Sequence, residues 1–247
     1  MSSADVITDE LRLLPARAAQ FIRRHPVPKR GDYTPETRLS VLDVLVHCAP
    51  VRGDAFVAFQ LLSRRELPGS YLLHVDVVDD ALSALDTFAV TENECEQSFG
   101  PNWQDVVRHA VEAAALLHGD FGALTRTTSV VDSRRRLGAW ACARDAAWEA
   151  GRIKSWYRAQ DAAWERHFMD EATVREDEQL CADIATAVRD AAAAHAVSDL
   201  VGRHDFTSAH FETLLAPWRT AAAHLLPRGD YCAAASTVST NVRGRSG

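Results

Sequence analysis

The sequence lacks the cysteine pattern of a disulfide-linked or zinc-binding protein. Its five cysteines are odd in number and widely spaced, and no C-x-x-C pair occurs, so neither a disulfide framework nor a zinc cluster is indicated. This usage is typical of a reducing compartment, and the cytoplasm is the expected localisation. A chain of 247 residues with 47% hydrophobic composition can bury a sizeable core without such cross-links.

Long apolar runs and an excess of positive charge are also missing. No apolar stretch approaches the roughly 20 residues that a membrane-spanning helix needs, and the first residues lack the apolar segment of a signal peptide. The formal net charge is -7, whereas nucleic-acid binding depends on clustered Lys and Arg. We therefore expect no membrane span and no nucleic acid as the main partner.

Strand patterns are scarce, and no Gly-rich phosphate loop follows one, which excludes a doubly wound nucleotide-binding sheet. Apolar residues instead recur at spacings of three and four along most of the chain, which is the period of a helix. This pattern predicts an all-α fold, an antiparallel helical bundle. We expect one helical domain over residues 1–227 and a small, polar, disordered tail over residues 228–247.

The bundle is predicted to form around residues 137–169, a stretch rich in alanine that holds four of the six tryptophans. Apolar positions three, four or seven apart predict one long central helix, with Tyr157 on its core-facing stripe. Trp140, Trp148 and Trp156 lie off that stripe, because a step of eight residues advances about 80° around the helix.

These tryptophans give the central helix a second aromatic face. Other helices cover this face, or it is an exposed patch for a partner. We favour burial, because large aromatic side chains usually lie in cores. In either arrangement, the candidate binding surface or pocket consists of Trp140, Trp148, Trp156 and Trp164.

Four local signals predict where other helices begin or change. Pro15 predicts a kink or break in the first helix, and residues 34–35, Thr-Pro, predict the start of the second. In residues 70–88 a strand-like alternation competes with a longer helical recurrence, and we favour helix. The last helix is predicted to begin at Thr207, inside a hydrophobic staple.

Two groups of oxygen-bearing side chains lie in distant parts of the sequence. Asp76 and Asp80 are four apart, so on a helix they would share one face and could hold Mg²⁺ against a diphosphate. Asp205, Ser208 and Glu212, at spacings of three and four, form a second such set.

An arginine with a neighbouring carboxylate lies between those two groups. Arg158 has Asp161 one helical turn further on, which pairs a guanidinium suited to phosphate with a carboxylate to orient it. Local structural roles remain open as alternatives: Asp205 and Ser208 lie where helix caps belong, and Arg158 with Asp161 is also an ordinary helix-surface pair.

The order of these motifs resembles that of class I terpene synthases, in which two Mg²⁺-binding motifs face each other across an all-helical bundle. The resemblance implies that Arg158 senses the diphosphate, and that the first and last motifs bind Mg²⁺. It also implies an aromatic pocket from Trp148, Trp156 and Trp164 that stabilises a carbocation. His204 stands where that family has Asn or Asp.

Two hypotheses of function follow from these observations. The leading one is a cytoplasmic all-helical protein that acts by binding a protein partner, a second copy of itself included, or a small apolar ligand. The alternative is a Mg²⁺-dependent, terpene-synthase-like enzyme that acts on an isoprenoid diphosphate.

Overall fold

The protein is a mostly helical bundle, which confirms the all-α prediction. The structure, a computed structural model, describes residues 6–32, 34, 37–64, 72–116, 133–164 and 178–221; the predicted tail lies outside these ranges. Within them the chain forms ten α-helices and a 3-10 turn at Ser198–Leu200. The helices are α1 (Asp9–Arg24), α2 (Val41–Cys48), α3 (Arg52–Ser63), α4 (Val78–Thr87), α5 (Glu92–Phe99), α6 (Trp103–Leu116), α7 (Ser133–Glu149), α8 (Ile153–Ala163), α9 (Glu178–Ala196) and α10 (Ser208–Ala221).

Capping side chains explain where the first two helices begin. The Thr8 hydroxyl accepts a backbone N–H from the first turn of α1, and the helix then continues through Pro15 without a break. Ser40 and Asp43 form a capping box, in which each side chain accepts the other residue's backbone N–H. Helix α2 therefore begins at Val41. The start predicted at residues 34–35 is not found at Thr34, and residues 37–40 are not helical, whereas Pro35 lies outside the described ranges.

The segment before α4 is extended where a helix was expected. The N–H of Leu73 donates to the carbonyl of Leu39 at 2.8 Å, and the N–H of Val75 donates to the carbonyl of Pro28 at 3.1 Å. Because these donors bind other parts of the chain, they are not available for a helix. Of the helix predicted over residues 70–88, residues 70 and 71 lie outside the described ranges, and the described remainder is helical only over Val78–Thr87.

A single long helix over residues 137–169 is not confirmed. The chain forms two helices there, α7 and α8, separated at Gly151, whose φ is +70°. Directly after the break, both terminal nitrogens of Arg152 bind the carboxylate of Asp199, each at 2.7 Å. This ion pair ties the start of α8 to the 3-10 turn. Residues 165–169 lie outside the described ranges.

The buried side chains of the described residues form two clusters. The first core is built mainly from α1 to α6 and one side of α8 and α9, and Leu11, Leu45, Phe56, Phe99 and Val106 are among its members. The second core consists of Ala139, Ala143, Ala146, Ala147, Trp156, Ala193, Ala194, Val197, Leu200, Phe206, Leu214 and Leu215. Helices α8 and α9 contribute to both and therefore lie between them. No helix in the described ranges is long and apolar enough to cross a membrane.

Candidate functional site

Helix α7 covers the second core with one side and leaves the opposite side exposed. Its buried side consists of small residues, Ala139, Ala143, Ala146 and Ala147, and it packs against α10. Alanine allows two helices to approach closely, because its side chain ends at Cβ.

Four side chains point away from the core and form what we call the α7 face: Leu137, Ala141, Arg144 and Trp148. Their spacings of four, three and four residues place them in one row along the helix. Leu137 is 55% exposed and Trp148 is 70% exposed. The α7 face therefore presents two large apolar side chains, about three helical turns apart, to the solvent.

An aromatic cluster borders the α7 face on one side. The rings of Trp140 and Trp156 meet edge to face with centroids 4.9 Å apart, and the Tyr157 ring lies 5.1 Å from that of Trp156. The guanidinium of Arg144 lies 5.3 Å from the Trp140 ring centre, within the range of a cation–π contact. These contacts hold Trp140 and Arg144 in place along one edge of the α7 face.

The four predicted tryptophans do not form one surface. Trp156 and Trp164 are buried, Trp140 is partly buried, and only Trp148 is largely exposed. Tyr157, which was expected on the core stripe, is 48% exposed. Tyr157 and Trp156 have thus exchanged their expected positions. The break at Gly151 accounts for this, because it rotates α8 about its axis so that Trp156 faces the core.

Asp76 and Asp80, the first predicted Mg²⁺ motif, do not share a helix. Asp76 lies in the turn before α4, where its backbone N–H donates to Nδ1 of His74 at 3.3 Å. Asp80 is in the first turn of α4 and is exposed. In this position a carboxylate stabilises the helix through its interaction with the helix macrodipole.

Arg158 and Asp161 lie on α8, and different charged residues act on each of them. Burial lowers the pKa of Arg158, and the positive charge of Arg64 lowers it further. Burial raises the pKa of Asp161, and Arg189 opposes that shift. The electrostatic influence on each side chain thus comes from another part of the chain.

The last predicted motif surrounds the start of α10. His204 and Asp205 both have positive φ, 53° and 60°, and form a tight turn in which the Phe206 N–H donates to the Arg203 carbonyl at 2.9 Å. Histidine and aspartate tolerate this backbone conformation better than most residues, so the turn itself explains the His-Asp pair.

The other two residues of that motif are exposed on α10. Ser208 is its first residue, and Glu212 forms an ion pair with Arg219. Helix α10 packs on α7 and α9, whereas α4 packs on α1. In the described ranges no three His, Cys, Asp or Glu side chains are grouped so that they could hold a metal ion. The magnesium hypothesis stays a prediction.

The sequence reasoning missed Leu137, Arg144 and Tyr157 as members or neighbours of an exposed surface. Leu137 is eleven residues before Trp148, a spacing of about three turns that brings two residues to the same side of a helix. This spacing was the available signal. For the exposure of Tyr157 the available signal was Gly151, because glycine is the usual residue just past the end of a helix and the exposure depends on the break there.

Comparisons of the chain with protein-family models, with curated proteins and with solved structures found no match.

Proposed function

We propose that this protein acts by binding a protein partner through the α7 face, and that the partner is a second copy of the chain. The observation that carries the proposal is the exposure of Trp148 in the same row as Leu137. Exposed tryptophan grouped with other apolar side chains is typical of interaction sites. A protein is favoured over a small apolar ligand because this aromatic surface points outward.

The α7 face is complementary to itself about its midpoint, which lies between Cys142 and Ala143. In an antiparallel pair of α7 helices, Leu137 of one copy is level with Trp148 of the other, and Ala141 is level with Arg144. The small Ala141 side chain leaves room for the long Arg144 side chain opposite it. Such a contact uses the same patch on both copies, as a two-fold dimer requires.

Charge along one edge of the face favours the same arrangement. Arg134 in the first turn of α7 and Glu149 in the last are both exposed, and at 1.5 Å per residue they lie about 22 Å apart along the helix. An antiparallel copy brings Glu149, which also pairs with His204 of its own chain at 2.5 Å, to the same end as Arg134. Helix α7 has no acidic residue in its first turn to compensate the positive end of its macrodipole. The Glu149 carboxylate of the other copy would supply this negative charge.

Sedimentation velocity over a range of protein concentrations tests the proposal. We expect the wild-type protein to form a dimer and Trp148→Ala to weaken association by roughly tenfold or more, as loss of a central aromatic anchor does. Leu137→Ala should weaken it as well. Leu13→Ala is the matched control, because Leu13 on α1 is 51% exposed and lies outside the α7 face; its association should equal that of the wild type.

A charge exchange tests the antiparallel geometry. Arg134→Glu should weaken the dimer by like-charge repulsion with Glu149, and the double variant with Glu149→Arg should restore it. A wild-type protein that stays monomeric at every concentration would rule out a second copy as the partner. Equal association of Trp148→Ala and the wild type would show that the α7 face is not the interface.

A further inference from the structure

Helix α7 ends at a pair of side chains that joins it to the turn before α10. Oε2 of Glu149, the last residue of α7, lies 2.5 Å from Nδ1 of His204. An ionised carboxylate only accepts, so Nδ1 carries the proton and the ring binds Glu149 whether it is neutral or charged. The His204 side chain is 31% exposed and that of Glu149 is 57% exposed. The Glu149–His204 pair therefore lies at the surface, where the ring can exchange protons with the solvent.

The backbone of the turn holds His204 beside the end of α7. The N–H of Gly202 donates to the carbonyl of Phe206 at 2.7 Å, and the N–H of Phe206 donates to the carbonyl of Arg203 at 2.9 Å. The side chain of Phe206 is fully buried in the second core. The position of His204 is thus fixed by the turn and not by its bond to Glu149 alone, so the ring stays near this carboxylate when its charge changes.

Most other charged side chains next to the Glu149–His204 pair keep their charge near neutral pH. Ion pairs join Arg144 to Asp145 before Glu149 in the chain, and Arg152 to Asp199 after it. The remaining charged or titratable residues of the turn, of the first turn of α8 and of α10 are Arg203, Asp205, Lys154, His210, Glu212 and Arg219. Among these side chain types only histidine ordinarily changes its charge between pH 5 and 8. A change of pH in this range therefore addresses His204 and His210.

We propose that His204 makes the dimer formed through the α7 face dependent on pH, and that protonation of its ring weakens this dimer. The dependence rests on the proposed function, because in the antiparallel pair Glu149 of one copy comes to the same end as Arg134 of the other. When the ring takes up a proton from the solvent, a positive charge lies beside Glu149 and offsets the negative charge that attracts Arg134. A two-fold dimer has two such ends, so both attractions are lost together.

Sedimentation velocity of the full chain at pH 8 and pH 5.5, at constant ionic strength, tests the proposal. The dissociation constant of the wild-type dimer should be roughly fivefold higher at pH 5.5, because an exposed charge pair loses its attraction at both ends. Circular dichroism checks that the protein is folded at both pH values. A protein that is monomeric at both would overturn the proposed function together with this inference. A dimer with the same dissociation constant at both would overturn this inference alone.

Two variants distinguish His204 from its neighbours. His204→Asn removes the titratable ring and keeps the turn, because asparagine tolerates a positive φ, so its dissociation constant should not change with pH. His210→Gln is the matched control and should keep the wild-type dependence. Burial lowers the pKa of His195 to about 4 and raises that of Asp190, which pairs with Arg136 of α7, to about 6; both are present in all these proteins and do not affect the comparison. The wild-type dependence in His204→Asn would overturn the proposal.

The double variant Arg134→Glu, Glu149→Arg should reverse the direction of the pH dependence. In this variant a protonated His204 attracts the carboxylate at position 134 of the other copy, so the dissociation constant should fall between pH 8 and pH 5.5. A general effect of pH on the protein would change both dimers in the same direction. A dissociation constant that rises in the double variant as it does in the wild type would therefore overturn the proposal.

Discussion

The two cores of this protein use different means to exclude water. In the first core, 14 of the 40 buried residues are alanine, and the larger leucine, valine and phenylalanine side chains of many helices fill most of the space. In the second core, six of the twelve buried residues are alanine, so its few large side chains contribute most of the buried area. The stability of the second core should therefore depend on single residues to a greater degree.

The difference also explains why α7 has an exposed apolar face. A helix that packs through alanine lies close to its neighbour and buries a narrow strip, so larger side chains on its other sides stay outside. Trp148 is on the opposite side of α7 from Ala139 and Ala146. The alanine-rich core and the candidate interface are thus two sides of one helix.

The largest effect is expected from Trp156→Ala, which removes the largest side chain of the second core. Trp156 is fully buried and contacts Trp140 and Tyr157. We expect a loss of about 4 kcal/mol in the free energy of unfolding, as for other buried tryptophans, measured by urea titration. Tyr157→Ala is the control, and because half of that side chain is exposed it should lose about 1 kcal/mol. An equal loss in the two variants would contradict the dependence on single residues.

A smaller but still large effect is expected from Gly53→Ala in the first core. A Cβ atom on Gly53 would lie 2.3 Å from Cα of Val111, where α3 crosses α6. Because the obstacle is backbone, the two helices must move apart, and we expect a loss of about 3 kcal/mol in urea titration. Gly138→Ala is the matched control: its Cβ has nothing within 4 Å, so the better helix former should stabilise α7 by about 0.5–1 kcal/mol. A higher free energy of unfolding in both variants would show that α3 and α6 have room for the additional Cβ atom at their crossing.

Local patterns predicted some of the elements whose causes are local. The start of α10 follows Thr207, whose hydroxyl accepts the N–H of His210 at 3.3 Å, and Phe206 and Phe211 pack in the second core as the staple predicts. The break at Gly151 also has a local cause, which the sequence analysis did not use: Gly151 has the left-handed conformation that ends a helix, and the N–H of Arg152 donates to the carbonyl of Ala147 at 2.7 Å. In an alanine-rich run, helix propensity alone favours continuation.

The residues of the candidate site and the buried His109 can also be divided into those that the sequence predicts and those that depend on tertiary packing. The row that contains Leu137 and Trp148 is visible in the sequence, but which side of α7 faces the core is decided by its packing on α10. His109 carries no sequence signal, because its burial results from α9 and α10 closing over α6. Residue spacing thus predicts rows of side chains, whereas tertiary packing determines which rows are exposed.

The smallest expected effect is a dependence of the free energy of unfolding on pH, caused by His109. This residue lies between the two cores: its ring contacts Trp218 of the first core, and the neighbouring His195 contacts Phe211 beside the second. The folded pKa of His109 is about 3, against 6.5 for an ordinary imidazole, so between these values the unfolded chain binds more protons. Its contribution to stability is complete above pH 6.5 and declines as the pH falls. From pH 7 to pH 5 the decline is on the order of 2 kcal/mol.

The difference between the wild type and His109→Gln isolates this contribution. Burial raises the pKa of Asp54 and Asp190 to about 6 and that of Glu112 to about 7, so these carboxyls change stability in the opposite direction, favouring the folded state as the pH falls. Both proteins contain them, and their effect cancels in the difference. In urea titrations the stability advantage of the wild type should shrink by on the order of 2 kcal/mol between pH 7 and pH 5. Parallel pH profiles would mean that His109 titrates normally, and hence that water reaches the seam between the two cores.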